Sequence, residues 1–134
     1  MTAAAPTLPL VAVWQQLTHR LLAAIDDALA DLGLSAAEIN ALACFGDAGR
    51  RTVGELVAAT AQRPSTLTGI LDRLEGRELV TRVPNPADRR SVLVRLTPTG
   101  RAHAKRIAEV FAELEARLPA ADLGRVLAAF DEAV

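Results

Sequence analysis

The sequence predicts a mainly α-helical chain with one small β-hairpin set into it. Three observations point there. Alanine and leucine supply 47 of the 134 residues, and both favour helix. Apolar residues recur at spacings of three and four through most of the chain. Only between Leu79 and Leu96 does the apolar period fall to two, as in a strand.

Residues 1–9 are small, carry Pro6 and Pro9, and read as an irregular end. Leu10, Trp14, Leu17, Leu21, Ile25, Ala28 and Leu32 then mark one face of a long helix that Gly33 stops. Ser35 with Glu38 three residues on reads as a capping box. The helix it opens runs through Ile39, Leu42, Ala43 and Phe45 to about Asp47, and Gly49 breaks it. Thr52 and Glu55 repeat the box for a short helix over Val53–Thr60. After the turn Ala61-Gln62-Arg63, Pro64 suits the first position of a further helix, whose buried face is Leu67, Ile70, Leu71 and Leu74. Leu79–Val83 and Ser91–Leu96 read as paired strands joined by the turn-rich segment 84–88, with Asp88, Arg89 and Arg90 at the tip. Thr97 and Pro98 open the next helix, with the stripe Ile107, Phe111, Leu114, Leu118. Pro119 interrupts it, and Leu123, Leu127, Phe130 and Val134 stripe a last helix.

Three consecutive helices, the last two joined by a tight turn and followed directly by a basic hairpin, make a winged helix-turn-helix. The chain divides accordingly: an N-terminal dimerisation helix in 1–34, the winged helix-turn-helix in 35–97, and C-terminal dimerisation helices in 98–134. The terminal stripes have nothing obvious to cover them inside so small a chain. They therefore pack on each other and on a second copy, through Trp14, Leu17, Leu21, Phe111, Leu114, Leu118, Leu127 and Phe130. The plainer alternative is that they fold back into one monomeric bundle.

The charge distribution agrees with a nucleic-acid-binding centre. The net charge is −1, yet residues 50–106 hold twelve of the fifteen Lys and Arg residues and only five of the sixteen Asp and Glu residues. A basic middle between acidic ends suits contact with a polyanion. Fourteen of the fifteen cations are arginine, the side chain shaped for two-pronged phosphate and guanine contacts. With four aromatics and no tyrosine, the chain lacks the stacking platforms of single-strand readers. One cysteine excludes an internal disulfide and a thiolate metal cage. Cys44, in an apolar segment, reads as a buried inert thiol, and His19 and His103 with it make no convincing metal site. There is no membrane-spanning run, no charged leader and no catalytic or phosphate-cradling motif. The sequence thus reads as a cytoplasmic protein that is not an enzyme and needs no cofactor.

Leu56 through Gly100 resembles the multiple antibiotic resistance regulator (MarR) family. The residues that carry the likeness are Arg63-Pro-Ser-Thr-Leu-Thr-Gly-Ile-Leu-Asp-Arg-Leu-Glu75, Leu79-Val-Thr-Arg82, Pro86-Ala-Asp-Arg-Arg90 and Val94-Arg-Leu-Thr-Pro-Thr-Gly100. The resemblance implies a homodimer on a near-palindromic double-stranded DNA operator, usually a repressor released by a small, often aromatic, effector. Three positions depart from the family pattern. Ala61 and Glu78 stand where glycine is usual, and Asn85 precedes Pro86 where aspartate is usual. A non-glycine residue is costly in the left-handed region, so Glu78 predicts that the recognition helix ends at Gly76.

Ser65, Thr66 and Thr68 open the recognition helix and point at base edges or phosphates, although Ser65 could instead only cap the helix. Arg63 either touches phosphate or stays solvated. Arg73 contacts phosphate or bridges to the wing. Arg90 is the residue expected in a minor groove, with its guanidinium held by Asp88, and Arg89 meets the backbone. Trp14 is dimer core or lines an effector pocket. The sequence reading is a homodimeric, sequence-specific DNA-binding regulator, a repressor released by a small molecule. The alternative is a winged-helix dimer that binds a protein partner and has lost DNA.

Overall fold

A computed structural model describes residues 7–133 of the chain. The elements run α1 (Leu10–Leu29), a 3₁₀ turn (Ala30–Leu32), α2 (Ala36–Ala43), β1 (Arg50–Thr52), α3 (Val53–Thr60), α4 (Pro64–Gly76), β2 (Val80–Asn85), β3 (Asp88–Leu96), α5 (Pro98–Glu115) and α6 (Ala120–Ala133). Val134, counted in the last stripe, and residues 1–6 of the irregular end lie outside the described residues.

Side-chain caps set the helix starts. The Ser35 hydroxyl accepts the Glu38 N–H at 3.2 Å and donates to the Glu38 carboxylate at 2.9 Å. Thr52 and Glu55 form the full reciprocal box on α3, and those amide contacts, with Arg51 beside them, hold the Glu55 carboxyl below its ordinary range. Thr97 caps α5, accepting the Gly100 N–H at 3.0 Å, with Pro98 in the first turn. Helix α2 stops at Ala43, short of Asp47, because Gly46 and Gly49 both take left-handed backbone.

Leu67, Ile70, Leu71 and Leu74 of α4 meet Leu42 and Phe45, Leu56 of α3, Val80 and Val94 of the sheet, and Ile107 of α5 in one core. Each such side chain contributes about 1.5–3 kcal/mol relative to an exposed one. The sheet has three strands, ordered β1-β3-β2 and antiparallel throughout. Strand β1 was not expected from the sequence. Three residues carry no readable alternation, and β1 exists only because Arg50, Arg51 and Thr52 pair with Arg95, Val94 and Leu93, far along the chain.

One crossing fixes how the wing leaves the core. The Leu79 carbonyl accepts the Thr97 N–H at 3.0 Å, and the Thr97 hydroxyl donates to the Glu78 carbonyl at 2.7 Å. A Cβ on Gly100 would lie 2.0 Å from the Leu79 oxygen. The glycine that follows Leu-Thr-Pro-Thr is therefore a packing requirement, since no side chain fits there.

The last residue of helix α4 is Gly76, but Glu78 terminates it in left-handed backbone at φ 60°, which overturns the expectation that Gly76 would end the helix early and spare Glu78; Ala61 is left-handed too, at φ 54°. One local and one tertiary bond hold the strained geometry at Glu78: its N–H reaches the Glu75 carbonyl at the helix end, and its own carbonyl takes the Thr97 hydroxyl.

The terminal helices leave apolar surface uncovered. Leu10 is 72%, Leu127 64% and Phe130 63% exposed, and Leu17 is exposed as well. Trp14 and Leu118 are half-buried. Leu21, Phe111 and Leu114 pack partly against the chain's own core. The eight residues expected at a dimer contact thus divide, and α6 with the first turns of α1 carries the open share.

Two substitutions should move stability in opposite directions, read as denaturant midpoints at constant slope. Ala61→Gly should raise stability by about 1 kcal/mol by removing left-handed strain. Gly100→Ala should lower it by about 3 kcal/mol, because backbone rather than a flexible side chain blocks the new Cβ. A neutral Gly100→Ala would show that the crossing is not fixed.

Candidate nucleic-acid interface

Helix α4 presents an open N-terminus. Arg63 occupies the N-cap position in extended backbone without a side-chain cap, Pro64 fills the first turn, and no acid lies in that turn. Ser65 therefore does not cap the helix. Helical amides before the first internal bond are unpartnered, and the helix dipole adds positive potential there. Leu67 N–H makes that first bond, to the Arg63 carbonyl at 3.0 Å. Ser65 and Thr66 stand before it, and Arg63, Ser65, Thr66 and Thr68 are all exposed. The Thr68 hydroxyl donates to the Pro64 carbonyl at 2.9 Å. Its methyl and oxygen lone pairs remain for an outside partner.

Arg73 turns away from the wing. Its Nε lies 3.5 Å from the Glu38 carboxylate on α2, itself buried against the Ser35 cap. The bridge between recognition helix and wing is made by Arg82 of β2, a residue the sequence reading did not single out. Its Nε meets Glu75 at 2.8 Å and its Nη2 meets Asp72 at 2.6 Å. Glu75 first and then Asp72 push the guanidinium pKa above its ordinary value. Arg77, also not singled out, ties the end of α4 to the 3₁₀ turn by donating to the Gly33 and Leu32 carbonyls at 2.6 and 2.8 Å. Sequence offered a weak signal for Arg82. It stands seven residues after Glu75 and ten after Asp72, a separation at which a strand returning along a helix can bring charges together.

The wing tip is built to push its arginines outward. Pairing runs from Val80↔Leu96 to Pro84↔Val92, then jumps to Asn85↔Asp88. Arg89, Arg90 and Ser91 consequently have no partner across the hairpin and form a bulge, a device that re-aims side chains. Pro84, which has no N–H to offer, suits that break. Asn85 closes the turn by accepting the Ala87 N–H at 3.0 Å and donating to Ser91 Oγ at 2.8 Å. Asp88 accepts the Arg90 backbone N–H at 3.0 Å. This corrects the expectation that Asp88 grips the Arg90 guanidinium: a short carboxylate reaches the amide two residues on more readily than the end of a long side chain. Arg89 and Arg90 are exposed, and among the described residues neither forms an ion pair.

The open α4 terminus and the arginine bulge thus stand at an offset set by Arg82. No three His, Cys, Asp or Glu side chains converge among the described residues. Cys44 is half-buried, and burial pushes its thiol above the ordinary range, in keeping with an inert group.

If the Arg82 fork sets that offset, Arg82→Lys, which keeps one charge but not two directed bonds, should loosen the wing. Amide exchange in β2 and β3 should rise about fivefold, the factor for about 1 kcal/mol of local stability. Unchanged exchange there would remove Arg82 as the strut.

The MarR family model matches residues 34–92. The HTH-type transcriptional repressor NicR of Pseudomonas putida is 42% identical over 72 residues, which is 54% of this chain and 46% of the relative. The multiple antibiotic resistance protein MarR of Salmonella typhimurium is 37% identical over 78 residues, covering 58% and 54%. The chain spans about half the length of the curated relatives it matches. Among solved structures, a mutant MarR from Escherichia coli complexed with operator DNA aligns at TM-score 0.71 and 26% identity over 95% of this chain and 94% of that one. Bordetella bronchiseptica BpsR, whose DNA binding is regulated by 6-hydroxynicotinic acid, aligns at 0.70 and 28% over 92% and 97%. Fold, wing and recognition segment agree: residues 34–92 match the MarR family model, and the chain has the winged helix-turn-helix fold of the MarR structures it resembles.

Proposed function

We propose that the chain is a homodimeric, sequence-specific double-stranded DNA-binding transcriptional regulator, a repressor released by a small-molecule effector. The observation that carries this reading is the pairing of an acid-free helix N-terminus with an outward arginine bulge on one rigid module. Residues 35–97 meet the DNA. The start of α4 lies in a major groove with Ser65, Thr66 and Thr68 toward base edges, and Arg63 contacts phosphate. Arg90 enters the adjacent minor groove and Arg89 meets the backbone. Asp88 shapes the tip, and Arg73 acts by holding α4 against α2.

Residues 1–34 and 98–134 pair two copies, so the operator is near-palindromic, with half-sites about one helical turn or a multiple apart. The repressor sense and a small aromatic effector are carried over from relatives: NicR is described as a repressor, and BpsR answers to 6-hydroxynicotinic acid. No described helix is long and apolar enough to cross a membrane, and the protein's place is the cytoplasm, with the DNA.

Binding to the DNA upstream of its own gene tests the interface. Arg90→Ala should cost at least about tenfold in affinity. It should also flatten the slope of log K against log salt by up to about 2, since a dimer loses two phosphate-proximal cations. Asp88→Ala should weaken binding too, because the tip loses its bond to the Arg90 amide, although simple charge counting predicts tighter binding. Tighter binding by Asp88→Ala with an unaffected Arg90→Ala would leave the wing as a charged loop.

The pairing surface has its own test. Leu127→Asp and Phe130→Asp touch no buried core, so they should leave a folded chain that sediments as a monomer, an unpaired interface charge costing several kcal/mol. Dimers in both variants would place the contact elsewhere.

A further inference from the structure

Away from the proposed DNA contacts, three arginines converge without an acid to answer them. Arg50 of β1 and Arg95 of β3 are direct cross-strand partners, so their side chains leave the same face of the sheet. That face is opposite to the one carrying Arg82, because Arg82 pairs with Val94 and Arg95 is the next residue along β3. The third cation is Arg101, in the first turn of α5. Its guanidinium lies on the Gly49 backbone, where a Cβ would come within 2.9 Å of Cζ. Arg50, Arg95 and Arg101 line one concavity of about 320 Å³ with Ala48 and Gly49.

Like charges placed directly opposite on a sheet repel, and nothing nearby relieves them. Among the described residues none of the three forms an ion pair or a side-chain hydrogen bond to another group. The neighbouring acids are Glu55 and Asp47. Glu55 is committed to Arg51 and Thr52. Asp47 shares the adjoining hollow with Arg101 and Lys105, so that side adds as much positive charge as negative. Gly49 itself is held in place by its carbonyl, which accepts the Leu96 N–H at 2.9 Å. The arginine resting on it is thereby pre-positioned.

We propose that this cluster is a binding site for a small phosphate-bearing ligand, held at the root of the wing. A phosphate group has the charge and the three outward oxygens that three guanidinium groups can engage together, whereas one carboxylate has two oxygens and one charge. The bound anion joins β1, β3 and α5, the three elements that meet at the base of the hairpin. The site is separate from Ser65, Thr66, Arg90 and the rest of the DNA-facing set, so it stands whether or not that reading holds.

Isothermal titration of the full chain with inorganic phosphate and pyrophosphate, at low ionic strength and without DNA, tests it. Pyrophosphate should bind more tightly than phosphate and should raise the thermal midpoint. Arg95→Ala and Arg101→Ala should each weaken binding at least about tenfold. Arg117→Ala, just beyond the other end of α5, should bind as the parent does. Arg95→Ala removes a repelling pair, so the free variant should melt no lower than the parent, which separates lost binding from lost folding. Failure of the parent chain to bind pyrophosphate at about 10 mM, or equal binding by all variants, would overturn the proposal. So would absence of anion binding combined with a shallower salt dependence of DNA affinity in Arg95→Ala. That last result would assign the arginines to DNA backbone instead.

Discussion

The outward face of this protein hangs on one backbone crossing. At Leu79 the chain leaves α4 for the wing, and at Thr97 it returns from the wing to α5. These two points are pinned together by the Leu79 carbonyl, the Thr97 N–H and the Thr97 hydroxyl. Gly100 lets α5 lie against that carbonyl at a distance no other residue permits. Because the bond from the Thr97 N–H to the Leu79 carbonyl is backbone on backbone, that part of the crossing cannot be adjusted by a rotamer change. The hairpin therefore leaves the core in one direction, and Arg82, two residues beyond the first strand position, falls within reach of Asp72 and Glu75. The left-handed strain at Glu78 is carried at the same place, as the local cost of turning from helix to strand so abruptly.

From that crossing outward, the polar contacts divide by task. Arg82, Arg77 and Arg73 are spent inside the module, on the wing, the 3₁₀ turn and α2 respectively. Arg106 joins them by binding Asp31 and the Ala28 carbonyl, which anchors α5 to the end of α1 and holds the Asp31 carboxyl below its ordinary range. Among the described residues Arg89 and Arg90 form no ion pair, and the bulge leaves them without a partner across the hairpin. A basic segment is thus two populations of arginine, one that builds the scaffold and one that is left unpaired among the described residues. Net charge alone does not distinguish them.

Much of this was readable from residue order. Ser35 with Glu38, Thr52 with Glu55 and Thr97 with Pro98 announced three helix starts, because a cap is local chemistry within four residues. The hairpin and its basic tip followed from the change of period after Leu79. Contacts that depend on distant partners were not readable. Strand β1 needs β3 more than forty residues later to exist. Arg77 finds Gly33 at a separation of 44 residues, and nothing in either neighbourhood signals it. At the candidate site, the positions of Ser65, Thr66 and Arg90 came from the pattern, whereas the bond Asp88 makes came only from the register jump in the hairpin. The Arg73 ion pair with Glu38 was not readable either, because it depends on how α2 packs against α4.

On the proposed function, one rigid unit delivers a helix end and an arginine bulge to neighbouring grooves of the same duplex, twice, about a dyad. Hydroxyl-radical footprinting of the full chain on DNA selected from a randomised pool tests this most directly. The expected result is a protection pattern symmetric about a centre, with an outer minor-groove pair that disappears in Arg90→Ala while the inner protections persist at higher protein concentration. Protection that has no symmetry, or an outer pair indifferent to Arg90, would contradict it.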